Sequence, residues 1–253
     1  MALVTVTGLN KFYAVGTQRI HVLRDLALEV GEGEMVAIVG ASGVGKSTLL
    51  HLLGGLDRPE HGVIHVAGRE LTAMSDAERV AFRNHHVGFV FQFHHLLPEF
   101  NAAENVEMPM RIARLPLPEA RRRASDLLTR VGLGERLAHR PSMLSGGEQQ
   151  RVAIARSLAV NPRVVVADEP TGALDTRTSF EVMEIFQRLT RERGITVVIV
   201  THEADVARFS ERLIRMRDGR IVGRGTLEEL LAHCPEFRDM WRHQAEPAGA
   251  QGN

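Results

Sequence analysis

A loop of the phosphate-binding type is the feature that most restricts the fold of this chain. It follows Met35–Val39, an apolar run of strand length, and precedes Ser47–Leu56, which has helical spacing. The joining residues fit the pattern G-x-x-x-x-G-K-[ST] in full: Gly40, Ala41, Ser42, Gly43, Val44, Gly45, Lys46 and Ser47. Glycines allow several backbone N–H groups to face one phosphate, and a helix N-terminus adds partial positive charge. Strand, loop and helix together predict an α/β nucleotide-binding fold.

Each polar residue of this loop has an expected role. Lys46 is expected to reach the β- and γ-phosphates of a nucleotide, and Ser47 is expected to bind Mg²⁺. Thr48, the next residue, is included among the nucleotide-binding residues. The alternative is a glycine-rich turn that matches the pattern by chance, and the flanking strand and helix argue against it.

The rest of the chain alternates between strand-like and helical segments, which favours a mainly parallel sheet with an antiparallel N-terminal portion. Strands are predicted at Leu3–Thr7, His21–Val30, Val63–Val66, Val87–Phe91, Val164–Ala167 and Thr196–Val200, and helices at Gly147–Ala159 and Arg177–Arg193. We predict one domain over residues 1–223 with a helical insert at about 93–158. A helical extension at 224–243 and a disordered tail at 244–253 complete the prediction.

Composition excludes several classes of function. Lys plus Arg and Asp plus Glu both number 31, so no net charge favours nucleic acid as a partner. A single cysteine rules out an intramolecular disulfide, and the 12 histidines show no metal-binding spacing. No secretory signal is expected, and the apolar runs are too short for a membrane helix. Action at a membrane would therefore need a separate spanning partner.

Two carboxylates follow the predicted strand Val164–Ala167. In open α/β sheets, ligands bind at the carboxyl ends of the strands. Asp168 is therefore the candidate Mg²⁺ ligand, and Glu169 is the candidate general base for an attacking water. By itself, an acidic turn before Pro170 is common, so this assignment depends on the phosphate loop.

A second glycine-rich helix start is formed by Ser145, Gly146 and Gly147. Ser145 and Glu148 fit a capping box, which any helix can use. Two glycines in a first turn cost about 1 kcal/mol each relative to alanine, so a cap alone does not explain them. A phosphate that approaches the backbone would explain them. Because the loop at 40–47 already binds one nucleotide, this second site suggests a nucleotide held by another copy of the chain.

With these motifs the chain resembles the ATP-binding-cassette ATPases over about residues 3–223. Leu144–Glu148 is similar to the family signature, and four single residues occur in the family's order: Tyr13, Gln92, Asp175 and His202. The resemblance implies a head-to-tail dimer of two copies around two MgATP. It implies that Tyr13 stacks on adenine, that Gln92 contacts Mg²⁺ and the γ-phosphate, and that His202 contacts the γ-phosphate. It also implies that Asp175 and Ser145–Gly147 contribute to the shared sites.

Residues 91–100 are similar to the branch of the family that releases lipoproteins from membranes, which also contains macrolide-export and cell-division ATPases. Ala173 departs from that branch, which more often has asparagine there. Gly225–Leu231 and Phe237–Trp241 resemble the end of exporter ATPase domains. The resemblance implies integral membrane subunits that dock near residues 92–110, and a peripheral location on the cytoplasmic face of a bacterial inner membrane. This stretch contains Phe93, His94, Leu96, Leu97 and Phe100, and its apolar groups are expected to form the docking surface if they are exposed. The alternative is that Leu96 and Leu97 pack in the core.

Three functions remain as hypotheses. The first is a transport ATPase with separate membrane subunits, and the second is a mechanical module that reshapes a membrane complex without moving cargo. The third is an ATPase that acts on ribosomes or DNA. The third is disfavoured because such relatives have two cassettes in one chain or a long coiled-coil insert, and this sequence shows neither.

Overall fold

Two β-sheets organise the chain, for which a computed structural model describes residues 2–203, 208–235, 237–238 and 241. The strands are β1 (Ala2–Val15), β2 (Gln18–Gly31), β3 (Met35–Val39), β4 (His61–Val66), β5 (Arg69–Glu70), β6 (Val87–Phe91), β7 (Val164–Asp168), β8 (Thr196–Thr201), β9 (Arg212–Arg217) and β10 (Arg220–Gly225). The helices are α1 (Lys46–Leu53), α2 (Asp76–His86), α3 (Ala102–Ile112), α4 (Leu117–Arg130), α5 (Gly146–Ser157), α6 (Thr176–Arg193) and α7 (Leu227–His233).

The larger sheet has the strand order β10-β9-β3-β8-β7-β6. Its strands run parallel except for β10, which pairs antiparallel with β9. Every residue of β3 and of β8 is buried, because layers of structure cover both faces of the sheet. This explains why these strands are continuous apolar runs without the alternation of a half-exposed strand.

The two faces of the larger sheet pack against different layers. One face meets the antiparallel sheet β2-β1-β4-β5 together with α1, through residues such as Leu9, Ile38 and Leu50. The other face meets α5 and α6, through residues such as Ala167 and Ile199. The predicted α/β class, with a mainly parallel sheet and an antiparallel N-terminal portion, is confirmed.

Between β6 and β7 all regular structure is helical, as predicted for the insert. It consists of α3, α4, two 3₁₀ turns at Gly134–Arg136 and Pro141–Met143, and α5. Pro109 lies inside α3, where it removes one backbone donor, yet the helix continues to Ile112. Asn105 stabilises the loop that precedes α3, because its side chain accepts from Leu97 N and donates to Leu97 O and Phe100 O.

Several elements were missed or misplaced by the sequence prediction. Helix α2 begins with a capping box formed by Ser75 and Glu78, a signal that the sequence does contain. Helix α1 ends at Leu53 and not at Leu56, since Gly55 adopts a left-handed conformation with φ of +67°. Strand β9 was missed because arginines interrupt its apolar pattern.

The C-terminal part forms a third, smaller core. Leu230, Cys234 and Phe237 pack on Ala37 and Leu213, at the β3–β9 end of the larger sheet. The predicted boundary at residue 223 falls inside β10, and within the predicted extension 224–243 the structure has α7. The predicted tail at 244–253 lies outside the described residues. In the described part of the chain, no helix has the length and apolar composition needed to cross a membrane.

The close approach of β6 to α5 yields a stability prediction. A Cβ on Gly88 would lie 2.5 Å from the carbonyl oxygen of Ser157. We expect Gly88→Ala to destabilise the protein by about 1–3 kcal/mol, since strand and helix must separate. Urea unfolding measures this change. Gly146→Ala is the control, because its Cβ would meet only Leu174, at 3.5 Å. Equal stability of the two variants would contradict the prediction.

Candidate functional site

The predicted site residues follow four strands that end at one edge of the larger sheet. The parallel register pairs Val39 with Thr201, and Asp168 with both Val200 and Phe91. The site residues that follow these strands therefore lie at the same level of the sheet. They are the loop at 40–45, Gln92, the Asp168–Glu169 pair and His202. This is the edge at which open α/β sheets bind ligands.

The phosphate loop has the backbone geometry that its glycines permit. Gly43 and Gly45 have φ values of +80° and +101°, a region that other residues rarely adopt. A Cβ on Gly45 would also meet Leu23 at 2.8 Å, so both conformation and space require glycine there. Gly45 precedes α1 without any side-chain cap on the helix. The first N–H groups of α1 are thus available to an anion, which fits a phosphate.

Lys46 lies beneath this loop with 5% of its surface exposed. Its ammonium donates to the carbonyl oxygens of Gly40 and Ala41, each at 2.9 Å. Burial lowers the pKa of Lys46, although the carboxylates of Glu169 and Asp168 act in the opposite direction. A cation that is poorly hydrated and bound to neutral carbonyls gains most from a phosphate anion, so the residue fits its predicted role.

Arg215 is a second buried cation beside the loop, and the sequence interpretation missed it. It lies on β9 with 8% of its surface exposed. Its Nη1 would be 3.4 Å from a Cβ on Gly40, and its charge contributes to lowering the pKa of Lys46. An arginine within the otherwise apolar run Leu213–Met216 was the signal that could have identified it.

The two predicted Mg²⁺ ligands contact each other. Ser47 Oγ donates to Asp168 Oδ1 at 3.0 Å, which joins the first turn of α1 to the end of β7. Burial raises the pKa of Asp168, and the hydrogen bond from Ser47 opposes this shift. Within the described ranges no cluster of three His, Cys, Asp or Glu residues could bind a metal. One carboxylate and one hydroxyl fit Mg²⁺, which takes its remaining ligands from phosphates and water.

Gln92 lies against the turn that follows β7. A Cβ on Gly172 would be 3.0 Å from Gln92 Nε2, and Gly172 N donates to Glu169 O at 3.1 Å. The amide is therefore near the backbone of the candidate base. The predicted contact of Gln92 with Mg²⁺ remains a prediction.

Glu169 and His202 form a hydrogen-bonded pair at the same edge. His202 Nδ1 and Glu169 Oε1 are 2.9 Å apart. Glu169 has φ of +46°, which is unusual for a residue with a side chain and marks local strain. Its backbone N–H is bound to Val200 O at 2.9 Å. The carboxylate is thus oriented by its neighbours, and a carboxylate oriented in this way can accept a proton from water.

Tyr13 has 38% of its surface exposed and lies beside Thr48 of α1, the helix that follows the phosphate loop. Its hydroxyl donates to Asp57 Oδ2 at 2.9 Å, and Lys11 bridges to the same carboxylate. Burial raises the pKa of Tyr13, and a hydrogen bond with Thr48 has the opposite effect. Lys11, Asp57 and Thr48 therefore hold the ring beside α1. Its stacking on a base remains a prediction.

Ser145, Gly146, Gly147 and Asp175 form a separate cluster, in which the first turns of α5 and α6 meet. The capping box of Ser145 and Glu148 is present. Asp175 caps α6 by accepting from Thr178 N at 3.0 Å. Ser145, Gly146 and Asp175 are exposed.

Packing within the chain, and not an approaching phosphate, accounts for one of the two glycines that were both expected to serve a phosphate. A Cβ on Gly147 would meet Thr178 Cγ2 at 2.3 Å, so packing within this chain already requires glycine there. Gly146 has no such restriction, since its Cβ would lie 3.5 Å from Leu174. The case for a phosphate that approaches from another molecule therefore depends on the exposed Gly146.

The site has the features of a phosphate-loop NTPase. It combines a phosphate-binding loop, a carboxylate at the end of a neighbouring strand, and a second carboxylate that is oriented by its neighbours. The family model described as ABC transporter matches residues 23–172. The lipoprotein-releasing system ATP-binding protein LolD of Geobacter metallireducens is 53% identical over 221 residues, which cover 87% of this chain and 98% of that protein. The chain therefore belongs to the ABC transporter family, and it binds and hydrolyses ATP.

Two further relatives define the range of similarity. Macrolide export ATP-binding/permease protein MacB 1 of Yersinia pestis bv. Antiqua is 49% identical over 87% of this chain, but the match covers only 34% of that protein. A solved dimer of an ATP-binding cassette in a post-hydrolysis state with ADP and Pi has a TM-score of 0.82 at 42% identity. That match covers 88% of this chain and 98% of the solved one.

The position of Glu169 yields a test of its role. Glu169→Gln retains the shape of the side chain but cannot accept a proton from water. We expect turnover to fall by about 10²-fold or more, with nucleotide affinity retained. Single-turnover hydrolysis and equilibrium nucleotide binding measure the two quantities. Glu184→Gln, on the exposed face of α6, is the control and should hydrolyse ATP normally. Normal hydrolysis by Glu169→Gln would show that another group is the base.

Proposed function

We propose that this chain works as one of two identical ATPase subunits that close around two MgATP and drive separate membrane subunits. The cargo that we propose is a lipoprotein, released from the inner membrane. One observation carries the two-copy arrangement. The candidate residues fall into two clusters, and in the second cluster Ser145, Gly146 and Asp175 are exposed, with Ser145 and Asp175 bound to the first turns of their own helices.

In the proposed mechanism the phosphate loop and Lys46 bind the β- and γ-phosphates. Ser47 and Asp168 would hold Mg²⁺, with Gln92 as a further ligand, and the bound ion would neutralise phosphate charge. Glu169 accepts a proton as water attacks the γ-phosphorus and the bond to the bridging oxygen breaks. His202 orients that carboxylate through its hydrogen bond and contacts the γ-phosphate, and Tyr13 stacks on the adenine.

The second copy supplies the opposite side of each nucleotide. Ser145 and Gly146 lie at the N-terminus of α5, where backbone N–H groups attract an anion. The solved relative with ADP and Pi, which is a dimer, supports this arrangement. Binding then joins the copies, and hydrolysis separates them.

An apolar groove beside the predicted docking stretch supports a membrane partner. It lies between α2, β6 and α3, has a volume of 420 Å³, and is lined by residues that include Val80, Leu97, Met108 and Ile112. Val80 is 53% exposed and Ile112 is 65% exposed. An exposed apolar groove of this kind suits the apolar face of a short helix. We propose that a cytoplasmic helix of the membrane subunit binds there.

The predicted exposure of the loop after Gln92 is only partly correct. Phe93 is 70% exposed and Leu97 is 40% exposed. Leu96, however, packs against the buried core of the helical insert. A change of Leu96 would therefore disturb stability as well as docking. Leu97 and Ile112 are better positions for testing docking alone, because both side chains are exposed.

The fraction of each relative's length that this chain matches favours lipoprotein release over macrolide export. The match takes in nearly the whole of the LolD relative, which is an ATP-binding protein like this chain. The MacB relative is an ATP-binding/permease protein about three times longer than the match. We therefore propose a separate subunit that is attached to the cytoplasmic face of the inner membrane through its partners. A mechanical complex without cargo is the alternative.

Mixing two inactive variants tests the shared site. Lys46→Ala weakens nucleotide binding at the phosphate loop. Gly146→Asp places a negative charge where the γ-phosphate of the partner's nucleotide is expected. Each variant alone should be nearly inactive. In a mixed dimer, one site combines the intact loop of one copy with the intact Gly146 of the other, so ATPase activity should recover in part. A mixture no more active than the separate variants would contradict the shared site, provided that both fold normally.

The groove generates a docking test. Leu97→Ser combined with Ile112→Ser should leave the ATPase rate and melting temperature of the isolated subunit nearly unchanged, because both side chains are exposed. Co-purification with co-expressed membrane subunits from the same genome should fall at least tenfold. Leu117→Ser is the matched control, since Leu117 on α4 is 40% exposed and is not among the residues that line the groove. Normal co-purification of the double variant would refute this docking site.

A further inference from the structure

A pocket of 250 Å³ lies away from both clusters of the candidate site. It is lined by the C-terminal halves of α4 and α6 and by Leu158, which follows α5. Helices α5 and α6 lead into the amino ends of β7 and β8, whereas the candidate nucleotide site lies where these strands end. Helix α6 has 18 residues, so its last turn is about 25 Å from its capping residue Asp175. The pocket is therefore separate from the phosphate loop and from the exposed cluster at Ser145.

The lining of this pocket is apolar where it is buried and charged where it is exposed. The buried side chains are Leu127, Val131, Leu158 and Ile185. The exposed ones are Arg130, Arg188, Glu192 and Arg193. An apolar floor screens charge less than water does, so an anion in this arginine pocket would be attracted strongly by the three guanidinium groups.

Arg123 contributes a fourth positive charge to the arginine pocket. It lies one turn before Leu127 on the same face of α4. Burial lowers the pKa of Arg193, and the charges of Arg130 and Arg123 lower it further, so these three groups are close together. Nη2 of Arg123 is buried and has no hydrogen-bond partner among the described residues. Withdrawing an arginine nitrogen from water without an acceptor costs free energy, which a bound anion would recover.

Ion pairs do not neutralise these four arginines. On the same helix Arg122 pairs with Asp126 at 3.6 Å, and its side chain is 72% exposed. Within the described ranges none of the four arginines of the pocket forms an ion pair of this kind. The positive charge is thus concentrated at the pocket and is not distributed over a network of opposite charges.

The ends of the two helices compensate for only part of this charge. Each helix C-terminus is equivalent to about −0.5 elementary charge, and Arg188 Nη2 uses it by donating to Arg130 O at 2.8 Å. The two helix ends and Glu192 together supply about −2 against four positive charges. Capping of α4 and α6 therefore explains some of the arginines and leaves about two positive charges for a ligand.

We propose that the arginine pocket binds a phosphate-type oxyanion between α4 and α6, with Arg123, Arg130 and Arg193 as its ligands. A planar guanidinium donates two parallel hydrogen bonds to a pair of phosphate oxygens, which suits this ligand class. The phosphate group can be free or belong to a lipid headgroup, since both present the same oxygens. Because α4 belongs to the helical insert and α6 packs on the larger sheet, the bound anion bridges these two parts.

Inorganic phosphate is the probe that tests the proposal. A non-hydrolysable ATP analogue with Mg²⁺ first fills the nucleotide site, so that phosphate cannot bind at the phosphate loop. Equilibrium dialysis with labelled phosphate at constant ionic strength should then show one bound phosphate per chain. Arg123→Gln and Arg193→Gln should each weaken this binding about tenfold or more, since each removes charge-assisted hydrogen bonds. Arg122→Gln is the control, because it removes the same charge from α4 outside the pocket. The absence of bound phosphate, or equal binding by all variants, would overturn the proposal.

Melting temperatures separate an anion site from simple helix capping. Phosphate should raise the melting temperature of the parent protein but not that of Arg193→Gln. Without phosphate, Arg193→Gln should melt at or above the temperature of the parent, because the change relieves repulsion among the arginines. If Arg193 only caps α6, the variant should melt lower with and without phosphate, and that result would contradict the proposal.

Vesicles identify the source of the phosphate group. Co-sedimentation with phosphatidylglycerol vesicles but not with phosphatidylcholine vesicles, lost in Arg123→Gln and Arg193→Gln, would assign the pocket to a lipid headgroup. Phosphate binding without such co-sedimentation would assign it to a soluble anion. Neither the site nor its failure bears on the proposed ATPase mechanism, since the pocket shares no residue with the nucleotide site.

Discussion

The parallel register of β3, β8, β7 and β6 is the constraint on which the site depends. It pairs Val39 with Thr201 and Asp168 with Val200, so that the strands end at one level. The hydrogen bond from Ser47 to Asp168 and that between His202 and Glu169 are possible only in this register. A slip of one residue would move every side chain of a strand to the opposite face of the sheet, where it would meet a different packing layer.

The helical insert is tied to the same edge by a buried amide. Gln150 on α5 is fully buried, and its Nε2 donates to Pro170 O at 2.7 Å. Pro170 follows Glu169 directly. The N-terminal turn of α5, which presents Ser145 and Gly146, is therefore attached to the backbone next to the candidate base.

One strained residue lies where the chemistry is proposed. Glu169 has a left-handed backbone that costs energy for a residue with a side chain, and the surrounding strands compensate for it. Lys46 is buried and Asp168 is half-buried, and desolvation shifts both pKa values toward the neutral forms. A desolvated ammonium gains from a bound phosphate, and a desolvated carboxylate gains from a bound cation. The site is therefore stabilised by binding a nucleotide with Mg²⁺.

The sequence alone determined the class of fold and most of the candidate site, because local patterns identify them. The phosphate loop from Gly40 to Ser47 is recognised from the spacing of neighbouring residues. The same is true of the apolar strands that precede Asp168 and His202. Tertiary structure decided the features that depend on distant residues. Thr178 requires glycine at position 147, Leu96 joins the core, and Arg215 lies beside Gly40. Trp241 contacts Arg208 for the same reason, since chain folding and not sequence spacing brings these residues together.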